Sequence, residues 1–334
     1  MTSKRLEDLT AHRSKPPLRR RLKDVPVLPS MVTLANLFFG FLAIAKVADA
    51  LRMTPPGASF EEILPYFETA ALLVFLAMVC DALDGRVARM TGQTTNFGAQ
   101  LDSLADMVTF GVVPAFIAKV LVDWHAQDDG NMLLPVGPKL FYAAAAVYVL
   151  GAAMRLARFN VETGDEEDGH REFKGMPSPA AAMVVCSLVA LFCTRADPSA
   201  VISRWLLSEG LYDWMVKAMP AALVLMGLLM ISGVPYPHAV SVLGKGRKSL
   251  PFLFTAVLFV AAAAIEWQLA LAVFAVGYVG WGLLLGAYRL LFVRRGPDDG
   301  ADDGADDGAD DGAGAGRAVG DLVDPAARRT PSRN

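Results

Sequence analysis

Four aspartates stand close together in a chain that is otherwise strongly apolar. They run Asp81-Ala-Leu-Asp84-Gly85-Arg-Val-Ala88-Arg89 and, eight residues later, Gly98-x-x-x-Asp102-x-x-x-Asp106. Positions three or four apart share a helix face. Asp81, Asp84, Gly85, Ala88 and Arg89 are therefore expected along one side of a first helix, and Gly98, Asp102 and Asp106 along one side of a second. The stretch Thr91–Asn96 reads as a short turn that makes the two helices antiparallel neighbours. Gly85, Ala88 and Gly98 are small, which lets backbones approach or leaves room for a ligand. Four carboxylates on facing helices at a membrane boundary would repel one another. A divalent cation is the simplest way to keep them ionised, and an all-oxygen ligand set favours Mg²⁺, Mn²⁺ or Ca²⁺ over zinc. The plainer alternative is a solvated polar connection between two membrane helices, but a solvated loop does not need helical spacing on both sides.

The elements that must carry these acids are apolar. The 334 residues are 54% hydrophobic, with mean hydropathy +0.39, too apolar for a soluble globular protein. Eight apolar segments fall at about 31–49, 66–90, 95–122, 138–160, 177–195, 215–233, 250–265 and 267–293. The fold class expected is all-α, a polytopic membrane bundle of about eight transmembrane helices spanning residues 30–295. The seventh segment is short and carries Glu266 at its end. Cys80, Cys186 and Cys193 lie inside apolar runs and read as core residues, with neither a disulfide framework nor metal spacing. The first apolar run begins only near residue 31, which argues against a cleavable signal peptide.

Charge is divided along the chain. The first 29 residues hold eight bases and three acids, whereas residues 296–334 hold ten acids and four bases. The basic segment points to a cytoplasmic membrane surface or its anionic lipids, not to nucleic acid, and equally serves as a topology signal. The tail contains four Asp-Asp-Gly-Ala repeats from Asp298 to Ala313. Like charges and Gly make it a disordered, solubilising segment. With an even number of spans both termini share a side. That side also carries Arg86, Arg89, Arg155, Arg158, Arg171, Lys174, Lys245, Arg247 and Lys248. The positive-inside bias therefore places both termini and the acidic motif at the cytoplasmic face of the inner membrane.

The spacing D-x-x-D-G-x-x-A-R-x8-G-x3-D-x3-D resembles that of the CDP-alcohol phosphatidyltransferase family at every fixed position. Further stretches are similar to the integral-membrane phosphatidylserine synthases within it. These are Leu28–Asn36, Ser103–Asp106 with Phe110–Ala115, Arg155–Asn160, Phe173–Ala181 and Pro235–His238. The resemblance covers about residues 26–245, and Gln100 stands where relatives often carry an acid. It implies that Asp81, Asp84 and Asp102 are the principal metal ligands. Asp106 would then sit at the edge of the metal site, also as a ligand, and act as the catalytic base. It implies two divalent ions, Mg²⁺ or Mn²⁺, which would balance the four Asp charges, and space for the CDP moiety at Gly85, Ala88 and Gly98. Asn36, Asp81, Asp84, Arg89 and Asp102 join these as the CDP-binding set. The implied substrates are CDP-diacylglycerol and L-serine, and the implied assembly is a homodimer in the bilayer.

Several polar residues carry two readings each. Arg155 and Arg158 are either snorkelling topology residues or ligands for phosphate or the serine carboxylate, both of which suit guanidinium. Lys174 has the same two readings. Asn36 lies early in the first span, where an unpaired amide is unfavourable. It either faces the site or bonds a neighbouring helix. His170 and His238 read as ordinary loop residues. The expected activity is transfer of a phosphatidyl group to serine, with another acceptor (glycerol phosphate, an inositol phosphate or choline) as the first alternative. A cation transporter is the alternative of another class. It requires acids spread through the membrane depth rather than gathered near one side.

Overall fold

The structure, a computed structural model, describes residues 27–53, 59–91, 95–128, 137–162, 175–232, 234 and 250–292. The basic segment before residue 27, His170, Lys174, His238 and the acidic tail lie outside these residues, as do the side chains of Ala88 and Arg89.

Every regular element among the described residues is helical. In chain order they are α1 (Val27–Met53), α2 (Phe60–Thr91), α3 (Asn96–Asp106), a π-turn (Met107–Val112) leading directly into α4 (Val113–Asp128), α5 (Gly137–Glu162), α6 (Ser178–Cys193), α7 (Val201–Leu206), α8 (Glu209–Ile231) and α9 (Leu250–Phe292). Helix α2 starts six residues before its apolar run, because Ser59 and Glu62 form a helix start. The Glu62 amide bonds the Ser59 carbonyl at 3.1 Å and the Ser59 hydroxyl reaches the Glu62 carboxylate at 3.3 Å, the residue pair of a capping box. Thr95 opens α3, its side-chain oxygen accepting the Gly98 amide at 3.1 Å, which satisfies one of the helix's orphan donors.

Among the described residues, six stretches are long and apolar enough to cross a membrane: Ser30–Arg52, Phe60–Val87, Phe97–Ala126, Lys139–Val161, Glu209–Ile231 and Val257–Tyr288. The eight segments read from the sequence are these six, with α6 added and the last stretch divided at Glu266. Helix α6 has 16 residues, about 24 Å at ~1.5 Å per residue, short of a hydrocarbon core of roughly 30 Å. It is instead the central helix, contacted by α2, α4, α8 and α9, and Cys186 and Cys193 are buried within it as free thiols. An apolar sequence with no polar face is what a helix enclosed on all sides requires.

A close helix contact and a helix break shape the bundle. Helices α5 and α8 meet at Gly151 and Gly227, where a Cβ on Gly151 would lie 2.5 Å from the Gly227 carbonyl oxygen, a backbone approach that only small residues permit. Glu266 breaks α9 with φ −144° and ψ 94°. Phe259 and Phe274 touch across the break, ring centroids 5.3 Å apart. The buried Glu266 carboxylate accepts the backbone amides of Ile202 and Ser203 at the start of α7.

Candidate active site

Helices α1, α2, α3, α5 and α6 bring their polar residues to one end of the bundle. Asp81 from α2 and Asp102 and Asp106 from α3 each offer a carboxylate oxygen, and the three oxygens lie within 4.8 Å of one another. The helical spacing of the acids thus produces convergence in space. Asp84, three residues beyond Asp81, is buried at 6% exposure and accepts hydrogen bonds from the Thr33 hydroxyl and the Gly85 amide. One Asp84 oxygen, Oδ2, and one Asp102 oxygen, Oδ1, are buried without a hydrogen-bond partner. Orphaned buried carboxylate oxygens are strongly unfavourable. Asp102 is common to the convergent group and the orphaned pair, whereas Asp84 stands outside the convergent three; converging carboxylates beside orphaned oxygens fit a hard divalent cation with an all-oxygen ligand set.

Helix α1 supplies the polar support. Asn36 is fully buried, and its Nδ2 donates to Oδ1 of Asp106 at 3.3 Å. Asn36 thus makes an interhelical bond, and its acceptor is one of the three convergent acids. Thr33, one turn earlier on the same face, bonds Asp84. The sequence had indicated Asn36 but not Thr33, although their spacing of three was legible. The Asn36 carbonyl accepts from the Thr109 hydroxyl at 3.4 Å, which ties α1 to the π-turn after Asp106.

The two arginines of α5 part company. Arg155 is half-buried, donates to the Ser178 hydroxyl at 3.1 Å, and lies within electrostatic reach of Asp106 and of Tyr278 on α9. Arg158 is exposed, as are Ala157, Phe159, Asn160 and Val161, because this last turn of α5 stands clear of the bundle. Asn160 nevertheless accepts from the Ser103 hydroxyl of α3 at 3.1 Å. Ser178 and Tyr278 are further polar groups around Arg155 that the sequence did not single out. Ser178 is positioned by Gly175, whose φ of 102° suits glycine and whose amide bonds the Val234 carbonyl at 3.0 Å. A Cβ on Gly175 would lie 2.6 Å from the Met230 carbonyl oxygen.

The small residues behave differently from one another. A Cβ on Gly85 would meet nothing within 4 Å, so open space adjoins this part of α2. A Cβ on Gly98 would lie 3.3 Å from the Thr95 oxygen that caps α3, so this glycine also serves the helix start. The opposite end of the bundle holds separate ion pairs, Arg195 with Glu209 at 3.1 Å and with Asp213 at 3.4 Å.

Comparison with known proteins agrees with this geometry. The family model described as CDP-alcohol phosphatidyltransferase matches residues 26–229, which include all four aspartates, Asn36 and both arginines. A Helicobacter pylori protein named CDP-diacylglycerol–serine O-phosphatidyltransferase is 30% identical over 267 residues, covering 80% of this chain and 92% of that one. A Mycobacterium tuberculosis protein of the same name is 32% identical over 233 residues, 68% of this chain and 67% of that protein. A Methanothermobacter thermautotrophicus protein named archaetidylserine synthase is 29% identical over 221 residues, 66% of this chain and 73% of that protein. With its convergent acids set at one end of an apolar helical bundle, the chain belongs to the CDP-alcohol phosphatidyltransferase family and is a multi-pass membrane phosphatidyltransferase.

Proposed function

We propose that this enzyme transfers the phosphatidyl group of CDP-diacylglycerol to L-serine, forming phosphatidylserine and releasing CMP. The observation that carries the chemistry is the meeting of Asp81, Asp102 and Asp106 within 4.8 Å. The acceptor rests on the three relatives, each of whose names specifies a serine product or a serine substrate.

Asp81, Asp84 and Asp102, with Asp106 at the margin, would hold Mg²⁺ or Mn²⁺, which supplies charge neutralisation at the diphosphate and a better leaving CMP. Two ions would balance four carboxylates. Open space adjoins Gly85; with Ala88 and Gly98 it would leave room for the CDP moiety, which Asn36 would also contact. Arg89, the base nearest the acids in sequence, and Lys174 are candidate ligands for the substrate's anionic groups. Arg155, held by Ser178, presents a guanidinium suited to the serine carboxylate or the phosphate, with Arg158 as an outer anion contact.

Asp106 takes the proton from the serine hydroxyl as that oxygen attacks phosphorus. The bond between the phosphatidyl phosphorus and the CMP oxygen breaks, and the electron pair leaves with CMP. Asn36 keeps the Asp106 carboxylate aimed. The apolar bundle provides the acyl chains with a lipid surround and brings a soluble amino acid to the membrane boundary. The positive-inside bias supports a cytoplasmic location, at the inner membrane, for this end of the bundle and for both termini. The family resemblance further implies a homodimer as the functional unit.

An acceptor panel tests the reading. Purified enzyme with CDP-diacylglycerol and Mn²⁺ or Mg²⁺ should form phosphatidylserine from serine, identified by lipid mass spectrometry. A preference for glycerol phosphate, an inositol phosphate or choline would replace serine while leaving the phosphatidyl transfer in place.

A further inference from the structure

The π-turn between Asp106 and α4 has a cause that can be read residue by residue. In an uninterrupted α-helix the carbonyl of Phe110 would accept the amide of residue 114. Residue 114 is proline, which has no amide hydrogen and whose ring collides with that same carbonyl. The helix widens instead, and the Val113 amide bonds the carbonyl of Val108, five residues back. The Phe110 carbonyl is then met by a different donor, the fully buried Tyr148 hydroxyl of α5, at 2.9 Å. The rest of the turn is held from two sides. Thr109 bonds α1 and presses on Gly40, where a Cβ would lie 2.5 Å from the Thr109 oxygen. Gly111 faces Ala152 of α5, with 3.2 Å between its would-be Cβ and the Ala152 Cβ.

A π-turn inserts about one residue into the helical repeat and so rotates the helix before it against the helix after it, by roughly 100° at ~3.6 residues per turn. Here Asp102 and Asp106 lie on the N-terminal side of the turn, and the residues anchoring α4 in the core lie on its C-terminal side. Restoring α-helical repeat with α4 fixed would turn Asp106 away from Asp81 and from Asn36. We propose that Pro114 and Tyr148 together form a register device that aims Asp106 into the acid cluster, making Tyr148 a positioning residue for the acceptor step. This rests on the role of Asp106 given above, but the predicted rotation is a property of the fold whichever alcohol is used.

The test is a pair of substitutions whose effects on stability and turnover should separate. Tyr148→Phe keeps the ring and removes only the donor, leaving a buried carbonyl bare. It should lower the melting temperature by a few degrees and kcat by roughly 10–100-fold, the range for a misplacement of about 1 Å, with KM for CDP-diacylglycerol nearly unchanged. Adding Pro114→Ala supplies an amide to the bare carbonyl and lets the helix close to α-helical repeat. The double variant should regain thermal stability without regaining kcat. If turnover returned together with stability, Tyr148 would only be filling and satisfying the core, and the register proposal would fall. It would equally fall if Tyr148→Phe left kcat unchanged. Both variants are assayed against the acceptor that the wild type turns over best, and Mn²⁺ affinity is measured calorimetrically in parallel. A wild type that rejects serine would count against the acceptor assignment alone. Reduced Mn²⁺ affinity in the stable double variant supports the rotation of Asp106, and unchanged affinity with full turnover overturns it.

Discussion

Asn36 and Asp106 are 70 positions apart in the chain, and the side-chain amide of the first holds Oδ1 of the second at 3.3 Å. The bond fixes one oxygen of the carboxylate and leaves the other for a proton or a metal. Asn36→Ala should therefore reduce kcat by roughly 10-fold or more, the effect of loosening a positioned group, with little change in nucleotide affinity. Steady-state kinetics with separate titration of each substrate reads the split. An equal loss in nucleotide affinity would mean that Asn36 acts mainly on the CDP moiety.

Asp106→Asn keeps the shape and one oxygen but removes the basic one. Loss of a general base costs about 10²–10⁴-fold in rate, so CMP release should nearly cease while CDP-diacylglycerol still binds by calorimetry. Asp81→Asn and Asp84→Asn should instead weaken metal and nucleotide together. Near-normal turnover of Asp106→Asn would reassign the base to another carboxylate.

Metal removal gives a cleaner contrast. Among the described residues, one oxygen each of Asp84 and Asp102 is buried without a hydrogen-bond partner. Chelation with EDTA should abolish turnover, and Mn²⁺ or Mg²⁺ should restore it. Full activity in demonstrably metal-free enzyme would exclude the cation.

Arg155 and Arg158 are not equivalent. Arg155→Ala removes a half-buried guanidinium bonded to Ser178. A hydrogen bond to a charged group is worth about 1.5–3 kcal/mol, or roughly 10–150-fold in KM for serine. Arg158→Ala, at an exposed position, should have a smaller effect. Equal effects in the two variants would show that the outer arginine is also a direct ligand.

Gly151→Leu tests the bundle and not the site. Its side chain would be driven into the Gly227 backbone, and overpacking of this kind costs about 1–3 kcal/mol. Thermal unfolding in detergent should fall accordingly, while Gly210→Ala, where a Cβ meets nothing within 4 Å, should be tolerated.

The acid cluster was legible because it depends on local repeat: three- and four-residue spacings put Asp81, Asp102 and Asp106 on inward faces, and hydropathy supplied the helices. The division of α9 was legible too, because a lone Glu266 between two apolar runs is a poor occupant of a continuous span. What could not be read depends on which helix lies beside which. Pro114 was visible, but nothing local names Tyr148 as the donor for the carbonyl it orphans. Arg155 and Arg158 share a helical face by spacing, yet the bundle ends between them. Tyr278 was hidden because it lies inside the apolar segment 267–293, where nothing local pairs it with α5, while the fold brings that residue within reach of Arg155.

The Glu266 carboxylate also sets an order of events during synthesis. The amides of Ile202 and Ser203 are made 64 and 63 residues before the side chain that receives them. At about 5–20 residues per second, that is an interval of roughly 3–13 s. Throughout that interval these two amides lack the acceptor they have in the folded bundle, so the start of α7 is completed only after residue 266 has been made.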